Sequence, residues 1–205
     1  MGVYQDQVVP RVINAACGSK NLHELRERVC ADLAGDVVEI GFGSGLNAPH
    51  YPDAVTLVDA VDPSDTGWRM AAKRLSQTQV PVRRAGLDGQ QLPFADGTYD
   101  AALSTWTLCT IPDARAALLE LHRVLRPGGR LHFVEHGLSP DEKVQRFQRR
   151  IEPVHRRVFG GCLVTRNVVD MLVAAGFTVT DVEHFYEKGA PKYAGASSLG
   201  VAIAA

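Results

Sequence analysis

The chain has 205 residues, 45% hydrophobic and 22% charged, with 22 Lys and Arg set against 23 Asp and Glu. A net charge of −1 excludes a general nucleic-acid binder, which needs a strongly basic face. The length suits one domain, residues 1–205, that buries roughly 70% of its unfolded surface without staples. The cysteines, Cys17, Cys30, Cys109 and Cys162, form no C-x-x-C pair, so no zinc or thioredoxin pattern and no disulfide framework is expected. No run approaches the ~18 apolar residues of a membrane span, and neither a signal peptide nor a myristoylation pattern opens the chain, where Asp6 follows Gly2. A reducing, cytoplasmic setting is the expectation.

In chain order, periodicity predicts a helix over 19–34, capped by Ser19, with Leu22, Leu25, Val29 and Leu33 on one face and Gly35 as its stop. A buried strand follows over 37–40, then the glycine-rich run 41–45, a strand over 55–61 and a helix over 64–76. Strands three and four are expected at 80–84 and 99–104. Pro112 and Asp113 open a helix that stops at Arg126-Pro127-Gly128-Gly129, and strand five spans 131–136.

Ser139-Pro140-Asp141-Glu142 reads as a capping box with Pro first in the helix. That helix carries Val144, Phe147, Ile151, Val154 and Val158 on one stripe, with a kink expected at Pro153. Its basic residues, Lys143, Arg146, Arg149, Arg150, Arg156 and Arg157, read as the solvated face. Thr165 is the expected cap of a further helix ending at Gly176, and strands over 177–184 and 199–203 close the chain. Alternating strands and helices imply an α/β fold with a parallel sheet covered on both faces, and the missing final crossover implies an antiparallel last strand.

Ligands of open α/β sheets sit at the carboxyl ends of the strands, so the first strand–helix turn, Glu39-Ile40-Gly41-Phe42-Gly43-Ser44-Gly45-Leu46, is the first candidate site. Leu46 stands where a dinucleotide loop needs its third glycine, and no Gly-Lys-Ser/Thr follows for a P-loop. Asp62, ~20 residues beyond the loop at the end of strand two, is placed to accept bonds from both ribose hydroxyls; Asp59 is the alternative there.

The E-x-G-x-G-x-G loop resembles motif I of the class I S-adenosylmethionine-dependent methyltransferases. So do Val61-Asp62-Pro63-Ser64, Gly86-Leu87-Asp88-Gly89 and the helix-to-strand run 121–131. The resemblance covers about 37–134 and implies a Rossmann-like seven-stranded sheet. It implies donor contacts from Glu39, Gly41, Phe42, Gly43 and Gly45, from Asp62 and Pro63, and from Leu87, Asp88 and Ser104. Glu39 would face the ammonium or sulfonium of S-adenosylmethionine, and Asp88 its adenine amino group. Gly128 and Gly129 read as structural turn glycines.

Methyl transfer from a sulfonium is an in-line displacement that needs alignment and exclusion of water, and no metal is expected. Thr105-Trp106-Thr107-Leu108-Cys109, the Glu135-His136 strand ending and Gly160-Gly161-Cys162-Leu163-Val164-Thr165-Arg166 together resemble the alkyl-thiol S-methyltransferase group, extending the likeness to about 166. That likeness implies a small-molecule thiol or sulfide acceptor, with S-adenosylhomocysteine as the second product. Animal members carry an amino-terminal membrane anchor that has no counterpart around Tyr4 and 8–16, so membrane attachment is not carried over.

His136, Trp106 and Thr105 are the candidate catalytic residues: His136 as proton acceptor or orienting group, Trp106 as an apolar wall with cation–π capacity. A hydrogen-bonded structural histidine and a core tryptophan are the alternatives. Cys109, Cys162 and Arg166 are the candidate substrate contacts. The cysteines also read as small buried hydrophobes, and Arg166 also as a partner of Asp170. Residues 1–18 and 139–160 are expected to form a small helical cap over the site, on a monomer or homodimer. The rival functions are N-, O- or C-methylation of a lipid, quinone or phenol, and a catalytically silent adenosylmethionine-binding partner. A NAD-dependent oxidoreductase is disfavoured by Leu46.

Overall fold

The computed structural model describes residues 7–205, so the first six residues of the expected cap lie outside the described residues. Helices α1 (Val9–Cys17) and α2 (Lys20–Cys30) lead into β1 (Gly35–Ile40), β2 (Val55–Val61), α3 (Asp65–Leu75), β3 (Val82–Gly86), β4 (Tyr99–Thr105), α4 (Ala114–Val124) and β5 (Leu125–His136). Then follow α5 (Glu142–Val158), α6 (Val168–Ala174), β6 (Phe177–Tyr186), α7 (Lys192–Gly195) and β7 (Ala196–Ala204). The strands form one seven-stranded sheet in the order β3-β2-β1-β4-β5-β7-β6, with β7 antiparallel to both neighbours and the remaining pairs parallel.

The apolar runs explain the layering. Val37, Val38 and Ile40 are buried on alternate faces of β1, so both faces need covering, and each such side chain contributes about 1.5–3 kcal/mol. Leu118, Leu121, Leu131 and Phe133 fill one layer, and Leu25, Val29, Leu33, Val58 and Leu103 the other. Strand order reverses between β1 and β4, which opens a crevice at their carboxyl ends.

Several local expectations need correction. Helix α2 ends at Cys30, because the turn Cys30–Leu33 closes by the Leu33 N–H donating to Cys30 O (3.0 Å) before Gly35 enters β1. Strand β3 begins two residues later than expected, and β5 already pairs through Leu125 with Tyr99. The Pro127-Gly128-Gly129 turn therefore bulges out within the strand, and pairing resumes at Arg130 with Ala101. Ser139 is not the cap of α5. Its hydroxyl accepts from Asp141 N–H (3.0 Å) and pairs with Tyr186 Oη (2.6 Å), while Asp141 caps by accepting from Lys143 N–H (2.8 Å). The cap of α6 is Asn167, because Thr165 gives both N–H and hydroxyl to Glu152.

Helix α5 runs on across Pro153, and its basic residues are exposed as expected. Its apolar stripe is not a core face, however: Phe147, Val154 and Val158 are about half exposed, whereas Gln148 and His155 are buried. Gln148 accepts from Ser139 N–H and donates to the carbonyls of Gly137 and Tyr193, which fastens α5 to the loop after β5 through polar contacts (3.0 Å each).

His132, in mid-β5, is 2% exposed; its Nδ1 meets Val29 O at 3.1 Å, which assigns the proton to Nδ1 and leaves Nε2 without a partner. Burial depresses its pKa below 6.5, with the Val29 bond opposing. The unfolded chain then binds the proton more readily, so this contribution to stability is complete above pH 6.5 and is lost as pH falls below it. Urea midpoints at pH 7 and 5 are expected to fall with pH, and to fall less in His132→Gln.

Candidate active site

A cavity of about 590 Å³ occupies the crevice at the carboxyl ends of β1 and β4, lined by the glycine loop, by 62–67 at the end of β2 and by Thr105, Trp106 and Thr107. Gly41 and Gly43 hold φ of +68° and +55°, the left-handed region that favours glycine. A Cβ on Gly41 would collide with Thr107, whereas one on Gly43 would meet only Gly41 O at 3.8 Å and so would occupy ligand space. Asp62 accepts from Gly43 N–H (2.8 Å) and Ser64 N–H (2.7 Å); burial raises its pKa and those two bonds oppose the rise. One acid thus ties the glycine loop to the start of α3 and keeps lone pairs free for a diol.

Gly67 completes this cradle. An added Cβ would lie 2.7 Å from Gly43 O, a backbone atom that cannot swing away. Gly67→Ala is expected to push the loop outward and weaken S-adenosylmethionine binding about tenfold, roughly 1.4 kcal/mol, as read by calorimetric titration.

Arg26 is a 4%-exposed guanidinium on the wall of the same cavity. It donates to Asn47 Oδ1 (2.5 Å), Thr105 Oγ1 (3.3 Å) and Cys17 O (3.3 Å), and stacks 4.7 Å over the Trp106 ring. Glu39 lies behind it, fully buried, accepting from Asn47 Nδ2 (3.0 Å) and from the Tyr51 hydroxyl. Burial lifts the Glu39 carboxyl to about 7, against the pull of Tyr51, Asn47 and Arg26.

A second, more apolar cavity of about 470 Å³ adjoins the first, the two sharing Val9, Ile13 and Cys17 of α1 together with Trp106 and Thr110. Trp106 carries φ +49°, the one positive value outside glycine among the described residues. Such a conformation persists only when its surroundings over-determine it. Here its N–H donates to Val134 O (2.8 Å), its indole Nε1 donates to Glu187 (2.7 Å), and Arg26 covers its ring. Glu135, also buried, holds the whole turn: one oxygen accepts from Ser104 Oγ (2.7 Å), Thr107 N–H (2.9 Å) and Leu108 N–H (3.1 Å), the other from Cys109 N–H (3.3 Å).

In the second cavity His136 Nδ1 lies 3.9 Å from Cys109 Sγ and 3.8 Å from Cys162 Sγ, and its Nε2 lies 3.5 Å from Glu187. Burial favours the neutral ring, but Cys162 and Glu187 prevail and raise the His136 pKa to about 10. Hydrogen bonding from Cys109 and His136 lowers the pKa of the Cys162 thiol, against burial.

Gly41, Phe42, Gly43, Asp62, Pro63, Thr105 and Trp106 line the first cavity, and His136, Cys109 and Cys162 the second. Five predicted donor contacts line neither. Glu39 sits behind Asn47, Ser104 gives its hydroxyl to Glu135, and Gly45 packs on Ala71 and Phe42. Leu87 and Asp88 are exposed in the turn that follows β3, with the Asp88 carboxylate accepting from Gln90 within that turn (2.9 and 3.0 Å). Asp59 lines neither cavity, since Arg83 and Tyr99 engage its carboxylate. Arg166 also lies off both cavities and does not pair with Asp170; it donates to the carbonyls of Leu108, Ile111 (2.7 Å) and Pro112 (3.0 Å), bracing the turn from behind.

The strand order, the single antiparallel strand and the glycine cradle with its acid define the class I methyltransferase architecture. A methyltransferase-domain family matches residues 38–133. Thiol S-methyltransferase TMT1B of Homo sapiens is 34% identical over 153 residues, covering 72% of this chain and 62% of that protein, and TMT1A of Homo sapiens is 30% identical over 154 residues with the same coverage. The chain thus spans somewhat under two thirds of the curated relatives it matches. The N-methyltransferase NodS of Bradyrhizobium japonicum, solved with S-adenosylhomocysteine, superposes with a TM-score of 0.70 at 15% identity over 97% of either chain, a likeness of fold alone. The chain thus carries a methyltransferase domain, residues 38–133, on the class I Rossmann-like fold.

Proposed function

We propose that the protein transfers the methyl group of S-adenosylmethionine to the sulfur of a small apolar thiol or to sulfide. The observation that carries this reading is the pair of adjoining cavities, one built for a polar ligand around Asp62, the other apolar and ending on the His136–cysteine cluster, with Trp106 between them. The names of the human relatives point the same way.

When bound, the donor supplies an electrophilic methyl on a sulfonium, and attack by a thiolate cancels both charges. This chain's contribution is placement. Asp62 accepts from the ribose hydroxyls with the lone pairs that Gly43 and Ser64 leave free, and Arg26 offers a buried cation to a carboxylate. His136, held by Glu187 at its Nε2, is placed to orient a nearby acceptor sulfur. Helices α1 and α5 are the cap of this reading, since α1 lines both cavities and His155 and Val158 of α5 line the second. A reducing cytoplasm, suited to free cysteines, completes it. Among the described residues no helix is long and apolar enough to cross a membrane.

Ala194 of α7 lines only the second cavity. Ala194→Trp is expected to raise KM for the acceptor about tenfold or more while leaving donor affinity unchanged, as read by steady-state kinetics beside calorimetry. Mass spectrometry of the product decides the acceptor: a thioether supports the reading, and a methylated ring or amine removes it.

A further inference from the structure

We infer that Cys109, His136 and Cys162 form a site for a thiophilic divalent cation, zinc foremost, in the wall of the second cavity. Their two sulfurs and the histidine nitrogen all lie within 4.8 Å of one another. Zinc–sulfur and zinc–nitrogen bonds of about 2.3 and 2.0–2.1 Å, at angles from tetrahedral to trigonal, set the N···S separation at about 3.6–3.8 Å. The observed 3.8 and 3.9 Å admit such an ion with shifts of a few tenths of an ångström. Carboxylate, carbonyl and water ligands suit magnesium and calcium, whereas this donor set suits zinc and copper.

The surroundings are those of a built site. Glu187 lies 3.5 Å from His136 Nε2, so Nδ1 is the nitrogen turned to the sulfurs, an arrangement that typically orients metal-binding histidines. Trp106 and Ser197 fix Glu187 in turn (2.7 and 2.8 Å). The two cysteine segments are joined by Leu163 N–H donating to Cys109 O (2.8 Å), and both thiols are buried, at 1% and 5% exposure. His155, which lines the same cavity, is 7% exposed, and its Nδ1 has no hydrogen-bond partner.

Three protein ligands leave a fourth position for water, the pattern of a reactive rather than a structural zinc. On the thiol reading, which this step rests on, the acceptor sulfur displaces that water. The metal–oxygen bond breaks, a metal–sulfur bond forms, and the thiol proton passes to solvent. After methylation the neutral thioether is a weak ligand, and water replaces it.

The test uses the full chain, without a histidine tag, reduced and stripped of metal, titrated with Co2+ alone and then with Zn2+. One Co2+ per chain, with a thiolate-to-cobalt charge-transfer band that Zn2+ abolishes, is expected. Cys109→Ser and Cys162→Ser should each weaken uptake about 100-fold or more and Glu187→Gln about tenfold, while Cys30→Ser keeps the wild-type spectrum. Circular dichroism verifies each variant's fold, and protection of Cys109 and Cys162 from alkylation by Zn2+ gives the same answer in unmutated protein. Absence of the band at one equivalent, its survival in the cysteine variants, or alkylation unaffected by Zn2+ overturns the proposal. Uptake without thiol turnover would leave the site standing and remove the thiol reading; thiol turnover without uptake would do the reverse.

Discussion

Asp62→Ala is expected to cut S-adenosylmethionine affinity by at least about 100-fold. Each hydrogen bond between a diol and an ionised carboxylate contributes about 1.5–3 kcal/mol, so losing two removes about 3–6 kcal/mol, at 1.4 kcal/mol per tenfold. The alanine also frees the Gly43 and Ser64 N–H groups that now converge on Asp62, loosening the glycine loop against α3. Asp62→Asn keeps the shape but not the charge and should fall between alanine and wild type. Calorimetric titration reads all three, and an alanine variant that binds within tenfold of wild type would assign the ribose contact to another group.

Glu135→Ala is expected to be the most destabilising of these substitutions, by about 3–5 kcal/mol. Its carboxylate is the shared acceptor for Ser104, Thr107, Leu108 and Cys109, and each buried N–H left without a partner costs about 1–3 kcal/mol. At about 2–4 °C per kcal/mol for a chain of this size, the thermal midpoint should drop roughly 6–20 °C. Trp106 and Cys109 ride on that turn, so catalysis should fall further than stability alone explains. Calorimetric melting with and without donor separates the two effects. A drop below 3 °C would mean that Arg166, from behind, holds the turn by itself.

The sheet was legible because β1, β2 and β4 each carry a short apolar run, Val37-Val38, Leu57-Val58 and Ala101-Ala102-Leu103, between glycine or polar turns, as a strand with residues buried on both faces requires. Helix caps were harder to read: at 139–141 and 165–167 adjacent residues compete for the same role, and tertiary partners, Tyr186 for Ser139 and Glu152 for Thr165, decide it. The glycine loop was readable for a local reason, since the positive φ of Gly41 and Gly43 and the turn at Asp62 are properties of short segments.

What lay beyond reach was assembled from distant segments. Glu187 meets Trp106 across 81 positions, and the Cys109–His136–Cys162 cluster joins ligands 26 and 27 residues apart, with no short-range spacing to announce it. Arg26 did leave a signal. It stands four residues after Leu22 and three before Val29, on the apolar stripe of its helix, where a charge has to find a buried partner. Glu39 does not line the cavity, because Asn47 and Tyr51, both beyond the glycine loop in sequence, claim its carboxylate.

The most direct test of the proposed reaction is release of S-adenosylhomocysteine from purified protein given S-adenosylmethionine and a panel of alkyl thiols and sulfide, beside phenol, amine and quinol acceptors, with Asp62→Ala as control. Turnover with thiols or sulfide alone, abolished in the variant, is the predicted result. Turnover with a ring or amine acceptor and none with any thiol would contradict it.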